Sequence, residues 1–151
     1  MLFTGSVRWN ILFGAPFRPD LYRRVLQACA LEADLATMPA GDLTEVAQGG
    51  ATLSGGQRAR VGLARAVYRA ALALESRSDT LPLVLLDDPF CSLDRRVALE
   101  VCGALFAAPG GLLAPFATVV ATSDAWWIGS LAGGERGARG ARVRAALLRD
   151  G

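Results

Sequence analysis

At 151 residues the chain is long enough for one compact domain, and with 52% of its residues apolar it carries the side chains for a substantial core. Its 16 basic residues are all arginine and its acids number 14, so the net charge of +2 is too small to point to nucleic acid or an anionic membrane surface as a partner. Without lysine it cannot contain a G-x-x-x-x-G-K-[ST] phosphate-binding loop, whose lysine reaches the β- and γ-phosphates, and without histidine it lacks the most usual general base.

The start, Met1-Leu2-Phe3-Thr4-Gly5, has neither the basic region nor the apolar run of a signal peptide. Asn10 to Phe17 is short and apolar, and Pro16 and Pro19 end it before Asp20, which is expected to cap a helix starting at Leu21. Tyr22, Val25, Leu26 and Cys29 then follow at helical spacing, as one buried face. Gly41-Asp42 and Gln48-Gly49-Gly50 make the segment from Leu43 to Leu53 loop-like.

Ser54 is placed to cap a helix running to about Leu74, with Arg58, Arg65 and Arg69 on one face and Val61, Ala64, Tyr68, Ala71 and Leu72 on another. After a polar linker from Ser76 to Thr80, Leu81 to Leu86 is a continuous apolar run ending in Asp87-Asp88, the pattern of a parallel strand buried on both faces. Asp94 opens a helical pattern through Val97, Val101, Ala104, Leu105 and Ala108, and Ala117 to Thr122 reads as a second strand. From Val101 to Ala121 the chain is uncharged, about the length that spans a bilayer, but Pro109-Gly110-Gly111 and Pro115 break it into helix, loop and strand. Strand, helix and strand in this order predict a parallel crossover with Asp87, Asp88 and Ser123 near one edge.

Cys29, Cys91 and Cys102 are odd in number and lack C-x-x-C spacing, so they are expected as buried thiols in a reducing compartment. Trp126 and Trp127 are expected to be buried, Gly133 to Gly140 to be a solvated Gly/Arg-rich loop, and Val143 to Leu148 to be a last apolar stretch. No internal repeat is apparent.

The chemistry concentrates at Leu53-Ser54-Gly55-Gly56-Gln57. Two glycines let the backbone approach a ligand, and the free N–H groups and dipole of a helix start favour phosphate. Leu53 to Ala66, LSGGQRARVGLARA, resembles the signature helix of ATP-binding cassette (ABC) ATPases. Ser6 to Gly14, Tyr22 to Val25 with Ala28 to Leu31, and Gly41 to Val46 resemble the helical subdomain of the multidrug-resistance (C) subfamily, and with Leu83 to Asp94 the resemblance covers roughly residues 2 to 123.

The resemblance implies an α/β fold: part of a P-loop NTPase core of the ABC type with parallel strands, joined to the ABC α-helical signature subdomain. Residues 1–75 would form that subdomain, and 76–151 the C-terminal part of the ATP-binding core. ATP and Mg²⁺ are the implied cofactors. Ser54, Gly55 and Gly56 would donate to the γ-phosphate of ATP held by a second nucleotide-binding domain in a head-to-tail dimer, and Gln57 would support the loop. Asp87 falls where the family holds Mg²⁺ through water. Asp88 stands in place of the usual catalytic glutamate, one methylene short, and Ser123 in place of the switch histidine. Leu93-Asp94 with Ser92 resembles the D-loop at the dimer interface, although either Ser92 or Asp94 also suits a helix cap. Glu45, in Thr44-Glu45-Val46, would meet the transmembrane domains.

These substitutions resemble the first of two nucleotide-binding domains in the subfamily, with a degenerate site of its own. The family's phosphate loop, adenine-stacking aromatic and Q-loop glutamine precede the point matching Leu2-Phe3-Thr4. The expectation is therefore a partial domain of an ATP-driven exporter at the cytoplasmic face of a membrane, inactive as an isolated chain. Two other readings are a non-catalytic interaction fragment or pseudogene product, and a soluble ABC-type ATPase of DNA maintenance. The last would carry long coiled-coil heptads beside the signature, and none is visible.

Overall fold

The computed structural model describes residues 1–76, 81–107, 110–123 and 126–127. A two-residue strand, β1 (Gly5–Ser6), leads into α1 (Val7–Leu12), with Ser6 Oγ accepting the Trp9 N–H at 3.1 Å as the cap. Helix α2 (Pro19–Ala28) begins two residues before the sequence expectation. Proline needs no N–H partner and has its φ preset, so Pro19 takes the first helical position after Arg18, and Asp20 serves as a first-turn acid rather than as the cap. Its inner face is the expected one: Tyr22, Val25 and Cys29 are buried and Leu26 partly so. Burial pushes the Cys29 thiol up to about 12, against a small opposing effect of Arg60.

After α3 (Glu32–Thr37) the chain is loop-like, as its glycines predict, apart from two short 3-10 turns and β2 (Glu45–Val46). β2 pairs antiparallel with β1, setting Glu45 opposite Ser6 and Val46 opposite Gly5. The long helix α4 (Gly55–Glu75) then packs against α1 and α2. Val61, Ala64, Val67, Tyr68 and Ala71 are buried. The Tyr68 hydroxyl accepts the Arg18 N–H at 2.9 Å and donates to the Pro16 carbonyl at 2.7 Å, fixing the entry to α2.

Of the three arginines expected on one face of α4, Arg58 and Arg69 are exposed and Arg65 is half-buried. Arg65 reaches back to α1, where Nε donates to the Asn10 carbonyl at 2.7 Å and Nη2 to Asn10 Oδ1 at 2.9 Å. Asn10 is fully buried and satisfied: Oδ1 also accepts the Phe3 N–H at 2.9 Å, and Nδ2 donates to the carbonyls of Phe3 and Ser6 at 2.9 and 3.1 Å. A buried amide tolerates this position only because its donors and acceptors are met.

The second half is β3 (Val84–Asp87), α5 (Arg95–Phe106) and β4 (Thr118–Ala121), with β3 and β4 adjacent, parallel and in register from Val84 opposite Thr118 to Asp87 opposite Ala121. The mixed α/β class and the parallel strand pair agree with the sequence. Burial on both faces of β3 does not: Val84 and Leu86 are buried, whereas Leu85 is 68% exposed and Val119 on β4 is 55% exposed. Parallel sheets are covered on both sides, and among the described residues only one side of this pair is covered.

Between α5 and β4, Leu112, Leu113 and Phe116 plug into the core. Gly111 is required there, because a Cβ would lie 2.6 Å from the Leu105 carbonyl oxygen. No helix among the described residues is long and apolar enough to cross a membrane. Trp127 is buried against Phe90 and Phe106, as expected, while Trp126 is partly exposed beneath Arg95. Cys29 and Cys102 are buried free thiols; Cys91 is exposed, because it lies in the turn after β3 and not on an inward face. Residues 77–80, 108–109, 124–125 and everything from 128 onward, including the Gly/Arg-rich segment and the last apolar stretch, lie outside the described residues.

Candidate functional site

The start of α4 is closed by a reciprocal pair of hydrogen bonds. Ser54 Oγ accepts the Gln57 N–H at 3.2 Å, and Gln57 Oε1 accepts the Ser54 N–H at 2.9 Å. This satisfies Ser54 and Gln57 but leaves the N–H groups of Gly55 and Gly56, in the first helical turn, without an intrahelical acceptor. The Ser54 hydroxyl spends only a lone pair on the cap, so its proton is still available to donate. Upstream, Arg58 folds back so that Nη1 donates to the carbonyls of Leu53 and Gly50 at 2.9 and 3.4 Å. Gly50, at φ +79°, permits this; a Cβ there would meet Arg58 Cδ at 2.6 Å.

The turn after β3 lies alongside this helix start. A Cβ on Gly56 would stand 3.1 Å from the Ser92 carbonyl oxygen, and one on Gly55 3.7 Å from Ser92 Cβ. Leu53–Gln57 and Ser92–Leu93, separated by a helix and a strand in sequence, therefore form one surface. Asp94 is the cap of α5, its Oδ1 accepting the Val97 N–H at 3.0 Å.

At the carboxyl edge of the sheet the expected grouping of Asp88 with Ser123 is present, with Asp87 ending β3 and exposed beside it. Asp88 has φ +41° and donates its N–H to the Ala121 carbonyl at 2.8 Å. Ser123 Oγ donates to Asp88 Oδ2 at 2.6 Å, a short charge-assisted bond, and Thr122 Oγ1 donates to Oδ1 at 3.3 Å. Sequence reasoning missed Thr122, although two adjacent hydroxyls after a strand parallel to an acid-terminated one would have marked it. The Cys91 N–H to Asp88 carbonyl bond, 3.3 Å, shapes the turn that connects this edge to the helix start.

Glu45 is exposed on β2. Beside its ladder partner, a Cβ on Gly5 would meet the Trp9 ring at 3.2 Å, and Trp9 belongs to an aromatic cluster that sequence reasoning also missed. Phe3, Trp9 and Phe13 remain 40–46% exposed while touching one another, with ring centroids of Phe3 and Phe13 5.2 Å apart and of Trp9 and Phe13 5.5 Å apart. Arg65 lies over Phe13 and Phe3 at 4.6 and 5.4 Å, and burial lowers its pKa from the ordinary value. Nearby, Arg8 makes a bidentate pair with Asp42 at 2.8 and 2.9 Å, and hydrogen bonding to that carboxylate raises the arginine pKa. The spacing of Trp9 and Phe13, one helical turn apart, was the available signal.

No family model matches the chain. Individual proteins do. The vacuolar heme ABC transmembrane exporter abc3 of Schizosaccharomyces pombe is 41% identical over 123 residues, 82% of this chain and 8% of that protein. An ABC-type transporter of Gibberella zeae is 47% identical over 118 residues, 78% of this chain and 8% of that protein. These matches, with the LSGGQ helix start, make the chain a member of the ATP-binding cassette class. Mouse ATP-binding cassette sub-family C member 4, 46% identical over 109 residues, narrows the class to sub-family C, to which the chain belongs; the match takes in 69% of this chain and 8% of that protein. The chain thus spans less than a tenth of the length of these relatives.

Proposed function

We propose that this chain is part of a nucleotide-binding domain of an ATP-driven membrane exporter, and that Leu53–Gln57 serves ATP bound by a partner domain. The carrying observation is the capped start of α4, where the Gly55 and Gly56 N–H groups and the Ser54 proton are left over for an acceptor outside the chain. A phosphate held by lysine must find that lysine elsewhere, since this sequence has none. On this reading residues 1–75 are the helical signature subdomain and 76–151 the second half of a P-loop NTPase core. The bare face at Leu85 and Val119 supports a core completed by further chain.

Asp87 is free to hold Mg²⁺ through water, which needs only one or two carboxylates. Asp88 is poorly suited to polarise a water, because it is one methylene shorter than the usual glutamate and is held in place by hydrogen bonds from Ser123 and Thr122. The site on this side is therefore degenerate, as in the first of two nucleotide-binding domains, and Ser123 acts as a tether for Asp88 in place of a switch. Asp94 contributes mainly as the α5 cap at the dimer-facing turn. The aromatic cluster beside Glu45 supports a membrane-domain partner there, since partly exposed aromatic rings in one patch are characteristic of interaction surfaces. Such a domain works at the cytoplasmic face of its membrane.

The test combines this chain with a nucleotide-binding domain that has an intact lysine loop. With Ser54→Cys here and a cysteine in that loop, ATP is expected to promote cross-linking between the two, and the chain alone is expected to hydrolyse no ATP. Robust hydrolysis by the isolated chain, or cross-linking indifferent to ATP, would overturn the reading.

A further inference from the structure

Gln57 gives the two ends of its amide to different partners. Oε1 accepts the Ser54 N–H at 2.9 Å, while Nε2 donates to Asp34 Oδ1 at 3.0 Å. Asp34 stands on α3, a different helix, with its side chain only 19% exposed. Its second oxygen lies 2.7 Å from Arg60 Nη1, and Arg60 in turn donates to the carbonyls of Ala30 and Gly56.

A side-chain amide has nearly the same shape either way round, so its orientation is set by what faces it. A carboxylate can only accept. Reversing the Gln57 amide would oppose Oε1 to the Asp34 oxygen and Nε2 to the Ser54 N–H, acceptor against acceptor and donor against donor. Asp34 therefore dictates that the oxygen of Gln57 faces Ser54. That bond, with its reciprocal from the Gln57 N–H to Ser54 Oγ, fixes the backbone from Ser54 to Gln57.

We propose that Asp34 is a positioning residue of this helix start: by orienting the Gln57 amide it aims the Gly55 and Gly56 N–H groups and the Ser54 hydroxyl at an incoming phosphate. The role rests on the nucleotide reading above. It assigns to α3 a part in a site whose motif lies entirely in α4 and the two residues before it.

The test is amide hydrogen exchange on the full 151-residue chain. Asp34→Asn, by freeing the Gln57 amide to turn, and Gln57→Glu, by setting a second carboxylate against Asp34 and driving the side chain away, are each expected to raise exchange at the Ser54 amide about tenfold, the loss of one hydrogen bond's worth of protection. The amides of Val61 and Ala64, in the middle of α4, serve as the global control and should stay put. The exchanged pair, Asp34→Asn with Gln57→Glu, restores a donor facing an acceptor with the roles swapped, and should return Ser54 to within about threefold of the parent. A role confined to the Asp34–Arg60 ion pair predicts no such rescue, because the swap leaves Arg60 facing a neutral Asn.

Unchanged Ser54 exchange in both single variants, or a swap no better than the singles, overturns the proposal. Should a single variant lose the Val61 and Ala64 protection as well, a swap that restores all three amides supports the proposal and one that does not overturns it. These measurements contain no nucleotide, so they are decided separately from the cross-linking that tests the nucleotide reading.

Discussion

The start of α4 and the carboxyl ends of β3 and β4 both close on themselves through short side-chain hydrogen bonds, yet they keep opposite remainders. At the helix start the closure uses the Ser54 and Gln57 amides and leaves the glycine donors unspent. At the strand ends the closure engages both oxygens of Asp88 and holds the carboxylate in one orientation. Local satisfaction therefore leaves donors available in one place and pins an acid in the other.

The largest expected effect comes from the contact between α1 and the middle of α4. Asn10→Ala strands the Phe3 N–H and a guanidinium N–H of Arg65, so it should cost about 2–4 kcal/mol in equilibrium denaturation. A cost under about 1 kcal/mol would mean that the N-terminal segment is not a support for α4. Next, Gly56→Val forces methyl groups toward the Ser92 carbonyl and Leu93, and should cost about 1–3 kcal/mol. Thermal unfolding as stable as the parent would separate the two surfaces that the contact joins.

Ser54 sharpens the comparison further. Ser54→Ala should lose about 1 kcal/mol with the cap, whereas Ser54→Asp keeps a capping acceptor and should hold stability to within about 0.5 kcal/mol. The aspartate variant has no proton to donate, so stability and partner-dependent ATP capture, measured side by side, should part company; if both survive, the hydroxyl is only a cap. Smallest is Ser123→Ala, on an exposed edge where Thr122 still holds Asp88, at no more than about 1 kcal/mol in urea denaturation. It should yield no ATP turnover, and turnover appearing in this variant would make Ser123 an inhibitor of Asp88.

The parts of this architecture that were legible in the sequence are those written locally. Ser54 and Gln57 sit three residues apart, so their capping box follows from spacing alone, and the two apolar runs ending in polar residues predict parallel strands with Asp88 and Ser123 at one edge. Pro19 displaced the expected start of α2 because a proline at the first helical position needs no cap bond from Asp20. Leu85 reads as buried from its neighbours, since an apolar run looks the same whether its cover belongs to this segment or to another. Asp34 and Arg65 were invisible for a different reason. Their partners lie 23 and 55 residues away, and nothing in a polar side chain announces which distant backbone it will meet.

The turn at Asp88 also bears on how this sequence can evolve. Its φ of +41° lies in the left-handed region, where aspartate and asparagine are at home because a short polar side chain can bond locally, and where longer side chains cost on the order of 1 kcal/mol. A codon change that lengthened the acid would arrive in a backbone shaped for the shorter one, and beside two hydroxyls spaced to hold it. A glutamate at this position would thus fit well only if the turn and Ser123 changed with it, so the geometry disfavours that exchange as a single step.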